Sequence, residues 1–294
     1  MISSLAQQLC FPQDAVSYLS ECDKRLKQDP KASSLLDAAI RRMYEQDDKS
    51  YMDLLAEIAE ITGISRYTVD MLFFLSCAAP MRELYRQKGI GEEIYWNTLS
   101  DLKNKLLECK SLHGIYGNFT NHWFPRFLRA EAFALGRLQY ELKPFQLESY
   151  GDLLQQGDVV CNCHIPSSGP LLQEDVLESL KQAYRFYRPY HRKGILPVTC
   201  HSWLLYPPVA ECFGKDSNLD RFYRIFEILD ETPDPANKNF WRVFSQAFSP
   251  ETLPSAPERS SLQRSIKQFL LRGGCMGNSW GMILFDGEKI LTQR

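Results

Sequence analysis

The sequence predicts an α+β protein in two parts, an all-helical N-terminal domain over residues 1–116 and a mixed α/β domain over 117–294. Three observations carry this expectation. From Pro12 to about Gly114 apolar residues recur every three to four positions, as in Leu54, Leu55, Ile58, Ala59 and Ile61, which is the spacing of one helix face. After Gly136 the period changes to two, Leu138, Tyr140 and Leu142 alternating with Gln139 and Glu141 as in a half-buried strand. A chain of 294 residues also exceeds the usual single-domain size, so two cores are expected.

In the first half Lys88-Gly-Ile-Gly91 breaks one helix, Glu92 and Glu93 suit the first turn of the next, and Gly114 is a helix stop after a basic end. The run Ala59-Glu-Ile-Thr-Gly-Ile-Ser-Arg-Tyr-Thr-Val69 has the form of a helix-turn-helix. Its second helix continues into Met71-Leu-Phe-Phe-Leu75, which must be buried, and this half carries at least as many acidic as basic residues, so DNA binding is not expected. Tyr95, Trp96 and Leu99 at helical spacing read as core. One more helix is expected over 121–135, carrying Trp123, Phe124, Phe127, Leu128 and Phe133.

In the second half strands are expected at 138–142, 158–165, 195–205, 222–229, 240–244 and 280–285, the last followed by the turn Asp286-Gly287 and a return over 289–292. Helices are expected at 174–187 and at 261–271, the latter stopped by Gly273-Gly274. Strand, helix, strand in that order implies a parallel pair with a right-handed crossover. The segment 231–259, rich in Pro and polar residues, reads as surface loop.

Hydrophobic residues make up 44% and charged residues 24%, the proportions of a folded globular chain. Thirty-four basic against thirty-six acidic residues leave a charge of -2, so no global field favours nucleic acid or an anionic membrane. The N-terminus lacks the basic flank and apolar stretch of a signal peptide, and no apolar run is long enough to span a bilayer. Nine cysteines, an odd number spread thinly, read as reduced thiols; a cytoplasmic protein is expected.

The segments Gly136-Arg-Leu-Gln-Tyr-Glu141, His164-Ile-Pro-Ser-Ser-Gly-Pro-Leu171 and Cys200-His-Ser-Trp-Leu-Leu205, extended by Ser217-Asn218 and Ser261-Leu-Gln-Arg264, resemble a bacterial acyltransferase family with a helical N-terminal domain and a GNAT-like C-terminal domain. The likeness covers about residues 120–286. It implies a central, mostly antiparallel sheet with one parallel pair of strands that splay apart. It further implies acetyl-CoA or another acyl-CoA as co-substrate, its pantetheine arm in the gap and its pyrophosphate on backbone amides ahead of a helix. The acceptor would be an amine of a small molecule or peptide, with no nucleic-acid or membrane partner. Where the family's phosphate loop reads Arg/Gln-x-x-Gly-x-Gly/Ala, this chain has one glycine and a proline, which removes an amide donor. Ile165, Ser167, Ser168 and Gly169, between a strand and a helix, are the candidate cofactor-binding residues; an ordinary strand-to-helix loop is the competing reading.

Acyl transfer from a thioester to an amine needs a base for the amine and an acid for the departing thiolate. His164 and His201, on neighbouring expected strands, are the candidate bases, and Tyr206 beyond the strand end is the candidate acid. Each also fits a packing role. Tyr184, Phe186 and Tyr187 are candidates for the mouth of the cleft. Cys161-x-Cys163-His164 with Cys200-His201 raises zinc, yet the ligand spacing of a turn is missing, so no metal is expected. Cys200 and His201 project to opposite faces and cannot activate one another, which leaves Cys200 with His164 across strands, or an inert buried thiol. A GNAT-shaped module that binds or scaffolds without catalysis is the alternative to the enzyme.

Overall fold

The computed structural model describes residues 2–292. The chain divides into two compact units, Met1–Phe133 and Ala134–Arg294. Among the described residues no helix is long and apolar enough to cross a membrane.

The first unit contains α1 (Ile2–Gln8), α2 (Gln13–Gln28), α3 (Pro30–Tyr44), α4 (Asp48–Thr62), α5 (Arg66–Ser76), α6 (Ala78–Gln87), α7 (Glu92–Leu99), α8 (Asp101–His113) and the single turn α9 (Pro125–Leu128). Local chemistry sets their ends. Asp29 caps α3 by accepting from the amides of Lys31 and Ala32 at 2.9 and 3.0 Å, with Pro30 at the first helical position. Gly63, in the left-handed region at φ 62°, ends α4. Helix α5 is the hub: residues 68–75 are all buried, so the helix that a DNA reader would expose is the centre of this core. Stacked and tilted rings run outward from it, Tyr51 to Phe73, Phe73 to Phe74, Phe74 to Phe124 and Phe124 to Phe127, at 5.2 to 5.4 Å between centroids.

Residues 117–133 fold with this unit. Asn118 N–H donates to Tyr67 O at 2.8 Å, and Tyr85 Oη donates to Phe127 O at 2.9 Å. The helix expected over 121–135 is replaced by α9, a left-handed Ala130 (φ 54°) and strand β1 (Ala132–Leu135). All four β1 residues are buried, and a continuous apolar run of that length has no period to tell strand from helix.

The second unit continues with β2 (Leu138–Pro144), β3 (Ser149–Tyr150), β4 (Leu154–Gln155), β5 (Val159–His164), α10 (Gln173–Phe186), β6 (Leu196–Ser202), α11 (Pro207–Ala210), α12 (Asn218–Arg224), β7 (Glu227–Ile228), β8 (Thr232–Asp234), α13 (Trp241–Phe244), α14 (Ser261–Leu271) and β9 (Met276–Phe285). The main sheet runs β1-β2-β5-β6-β9-β7, with β8 also on β9. Strand β5 pairs antiparallel with β2, and β6 antiparallel with β9; β5 and β6 are parallel, joined through α10 as the strand-helix-strand order requires.

Two expected strands are corrected. Over 222–229 the chain forms the end of α12, capped by Ser217 Oγ accepting from Asp220 N–H, and only then the two-residue β7. Over 240–244 it forms α13, with Phe240 and Phe244 stacked at 4.2 Å one turn apart. In both, aromatic residues suggest a pleated surface where local capping and ring stacking favour a turn of helix. The strand expected over 195–205 stops at Ser202, whose Oγ caps the 3-10 turn Trp203–Leu205. Strand β2 is covered on both faces rather than one, Gln139 and Glu141 being 2% and 6% exposed.

Asp70 yields a test of the helical core. It is 2% exposed, accepts from Arg66 Nε at 2.7 Å, and burial pushes its carboxyl up to about 6 while Arg66 pulls it down. A carboxyl whose folded pKa is raised favours the fold below its unfolded value, and loses that contribution as pH climbs through the folded one. Between pH 4 and 7 the urea midpoint of the wild type is therefore expected to fall relative to Asp70→Asn, by an amount worth roughly 2 kcal/mol. A wild-type-to-variant gap that stays constant with pH contradicts this account.

Candidate active site

The site is set by where β5 and β6 stop pairing. Their parallel register holds Cys161 against Val198 and Asn162 against Thr199, and ends there, although β5 continues to His164 and β6 to Ser202. The two strands therefore part beyond Asn162, as the expected splayed pair does. Period-two alternation then sorts the side chains. Cys161, Cys163 and Cys200 share one face with Tyr140; Asn162, His164, Thr199 and His201 share the other.

Helix α10 covers the thiol face. Buried Ser179 accepts from Leu138 N–H at 3.1 Å, donates to Leu135 O at 2.5 Å and lies 2.9 Å from Tyr140 Oη, so a single hydroxyl fixes β1 and β2 against the helix. Cys161 and Cys200 are fully buried and their thiols are pushed up, Cys161 chiefly by desolvation and Cys200 chiefly by its contact with Cys163. Cys200 thus sits on the face away from His164, and no imidazole there can draw off its proton; it is a packed thiol. The zinc grouping fails for the same reason, and among the described residues no three His, Cys, Asp or Glu side chains gather as metal ligands do.

The other face is polar. His164 Nε2 lies 2.5 Å from Glu141 Oε1, which also accepts from Lys143 Nζ at 2.8 Å. An ionised carboxylate only accepts, so the hydrogen between the two belongs to His164 Nε2. Asn162 Nδ2, 3.1 Å from the same Nε2, would then be a donor facing a donor; turning the amide over places its oxygen toward the histidine and its nitrogen toward Thr199 Oγ1, 3.1 Å from the other arm. In the sequence Glu141 is only the polar half of an alternating strand. Its burial, and its position two residues along β2 from Gln139, the partner of His164, emerge with the register.

His201 is on this face as expected, its ring 4.8 Å from that of Trp280, its cross-strand partner on β9. Desolvation holds its pKa below the usual 6.5, against the pull of Asp230. Tyr206 is buried with its ring over Gly277, where a Cβ would come within 2.7 Å of it; desolvation and then the neighbouring Cys275 raise its hydroxyl.

The loop from Ile165 to Leu172 leads from β5 into α10. Ile165 is half-buried, and Ser167, Ser168 and Gly169 are exposed. Residues Leu171, Val176 and Leu177 continue into a cleft of about 300 Å³ shared with Phe222 and Ile225 and edged by Arg221 and Lys289. An apolar slot whose rim carries Arg221, Lys289 and Glu288, next to a helix N-terminus whose first-turn amides have no side-chain cap and whose first turn holds Glu174 and Asp175, can take an apolar arm that ends in phosphates where the two cations outweigh the carboxylates. Tyr184 and Tyr187, expected at the mouth, stand instead at the far end of α10, about 20 Å along the axis, bonded to Gly194 O and Tyr140 O.

The fold is that of a GNAT-like domain that follows a helical one along the chain. The chain belongs to the family with the GNAT-like C-terminal domain, whose model matches residues 132–283, and residues 2–130 match the N-acyltransferase N-terminal domain. Similar solved structures include a mutant acyltransferase in complex with octanoyl-CoA, at 22% identity and TM-score 0.73 over 96% of this chain and 87% of that one. An acyltransferase in complex with decanoyl-CoA and teicoplanin is similar at 22% identity and TM-score 0.71, again over 96% and 87%. A third, with decanoyl-CoA, reaches TM-score 0.64 at 23% identity over 96% and 98%. No curated protein matches the chain in sequence.

The stacked His201 allows a direct check. In histidine-detected NMR its ring is expected to titrate below 6.5, and Trp280→Ala, by uncovering the ring face that the tryptophan shields on this otherwise exposed residue, is expected to move the midpoint upward. No movement in the variant would mean that Trp280 is not the source of the desolvation.

Proposed function

We propose that this protein is an acyl-CoA-dependent N-acyltransferase, passing the acyl group of a CoA thioester directly to the amine of a small molecule or peptide. The observation that carries the reading is the His164–Glu141 pair, a histidine oriented by a buried carboxylate where β5 and β6 part. In this reading the His164 imidazole takes a proton from the attacking amine. The C–N bond forms, the C–S bond breaks, and the imidazolium, stabilised by Glu141, returns the proton to the departing thiolate. His201 and Tyr206 then need no proton role; they form the wall of the site through Trp280 and Gly277.

The amides and cleft at the start of α10 are assigned to the CoA diphosphate and pantetheine, with Ile165, Ser167, Ser168 and Gly169 in the loop that leads to them. The solved relatives bind octanoyl- and decanoyl-CoA, which favours a donor longer than acetyl, and one binds teicoplanin, which favours a peptide-like amine acceptor. The free thiols support a reducing compartment such as the cytoplasm, where acyl-CoA is available.

The test is thiol release from octanoyl-CoA in the presence of a panel of amines, glycopeptides included. His164→Gln is expected to lower kcat by roughly 10²–10⁴ while leaving octanoyl-CoA affinity within about twofold, and Tyr206→Phe to retain activity within about threefold. Binding of octanoyl-CoA with no turnover of any amine would leave the chain a binding module. A His164→Gln variant as active as the wild type would remove the histidine from the mechanism.

A further inference from the structure

Arg137, between Gly136 and β2, directs all its described hydrogen bonds to one loop. Its Nη1 donates to Pro166 O at 3.1 Å, its Nη2 to Gly169 O at 2.7 Å and its Nε to Pro170 O at 2.9 Å. These acceptors are neutral carbonyls, so the half-buried guanidinium spends its hydrogen bonds on the loop and feels a carboxylate, Asp175 in the first turn of α10, only through space. A residue that only tied the loop down could be neutral; this one places a full charge behind it.

The orientation of the loop follows from the peptide unit. In a trans peptide the C=O of one residue and the N–H of the next point in opposite directions. With the Pro166 and Pro170 carbonyls turned to Arg137, the N–H groups of Ser167 and Leu171 point away from it. The carbonyl of Gly169 is followed by Pro170, which has no N–H to misdirect. Gly169 itself is at φ 114°, where only glycine rests easily, and a Cβ there would meet nothing within 4 Å, so backbone conformation rather than crowding demands the glycine.

We propose that Arg137 is a positioning residue for the diphosphate of acyl-CoA: gripping the carbonyl edge of the 166–170 loop, it turns the amide edge outward and backs it with positive charge. The proposal rests on the acyl-CoA reading above. It also accounts for a loop with a single glycine, since a side chain supplies from behind the shape that further glycines would give through the backbone.

The experiment is calorimetric binding of two ligands, octanoyl-CoA and S-octanoyl-pantetheine, which has the same thioester arm without diphosphate or nucleotide. Arg137→Met is expected to weaken octanoyl-CoA by at least about tenfold and to leave octanoyl-pantetheine within about twofold. Arg137→Lys should fall between, because one ammonium cannot span three carbonyls. Gly169→Ala should show the same selective loss, and the double variant less than the product of the two, since both act on one loop. Equal weakening of both ligands, or none of octanoyl-CoA, overturns the proposal. If Arg137→Met does not fold, Arg137→Lys and Gly169→Ala still decide between these outcomes through the ratio of the two affinities. Octanoyl-CoA binding without turnover counts against the transferase reading alone, whereas a wild type that binds no octanoyl-CoA counts against both.

Discussion

The parallel seam between β5 and β6 is the constraint on which the second unit depends. To one side, β2 and β5 pair over six positions; to the other, β6 and β9 pair over seven; the seam between these blocks holds two. Each block is an antiparallel ladder that satisfies its own backbone, so the sheet can part at the seam without unravelling. Parting leaves the inner backbone edges of residues 163–164 and 200–202 outside the shared ladder, and such edges need other partners. A gap of this kind, with a histidine at its rim and a loop leading into a helix beyond, is a place where a ligand can complete the sheet.

Because side chains alternate across a strand, the seam also divides chemistry between two faces. The cysteines lie on the face closed by α10, where Ser179 ties β1 and β2 to the helix and desolvation keeps Cys161 a thiol. The imidazoles, Glu141, Asn162 and Thr199 lie on the other. A buried carboxylate is costly unless bonded, and Glu141 is bonded to His164 and to Lys143. Holding a carboxylate there is worth little for stability compared with an apolar side chain; it is worth a great deal if the histidine must keep one tautomer.

What the sequence discloses and what it hides follow from the range of the interactions involved. Helix α14 is legible to the residue because its signal is local: Ser260 and Gln263 form a reciprocal capping box, and glycines follow the last turn. Strand β5, helix α10 and the parallel crossover are legible from period and order. The strands expected over 222–229 and 240–244 fail because aromatic content signals β preference even where Ser217 capping and Phe240–Phe244 stacking act one turn apart. The three candidate side chains His164, His201 and Tyr206 can be named from residue type. Their separation onto a carboxylate, a tryptophan and a glycine cannot, since each partner is set by strand register.

Arg137 and Glu141 show why register matters beyond the fold. They are four residues apart in sequence, one just before β2 and reaching a loop about thirty residues ahead, the other within β2 and reaching His164. Both are placed by the pairing of Gln139 with His164 and Glu141 with Asn162. A slip of one residue in that ladder would turn Glu141 to the thiol face, where it would meet α10, and would draw the guanidinium off its carbonyls in the same movement. The hydroxyl of Ser179 holds β2 to α10 through Leu138 and Tyr140, immediately between the two charged residues. One short stretch of β2 therefore governs the loop at one end of the gap and the histidine at its rim, and neither can be repositioned independently of the other.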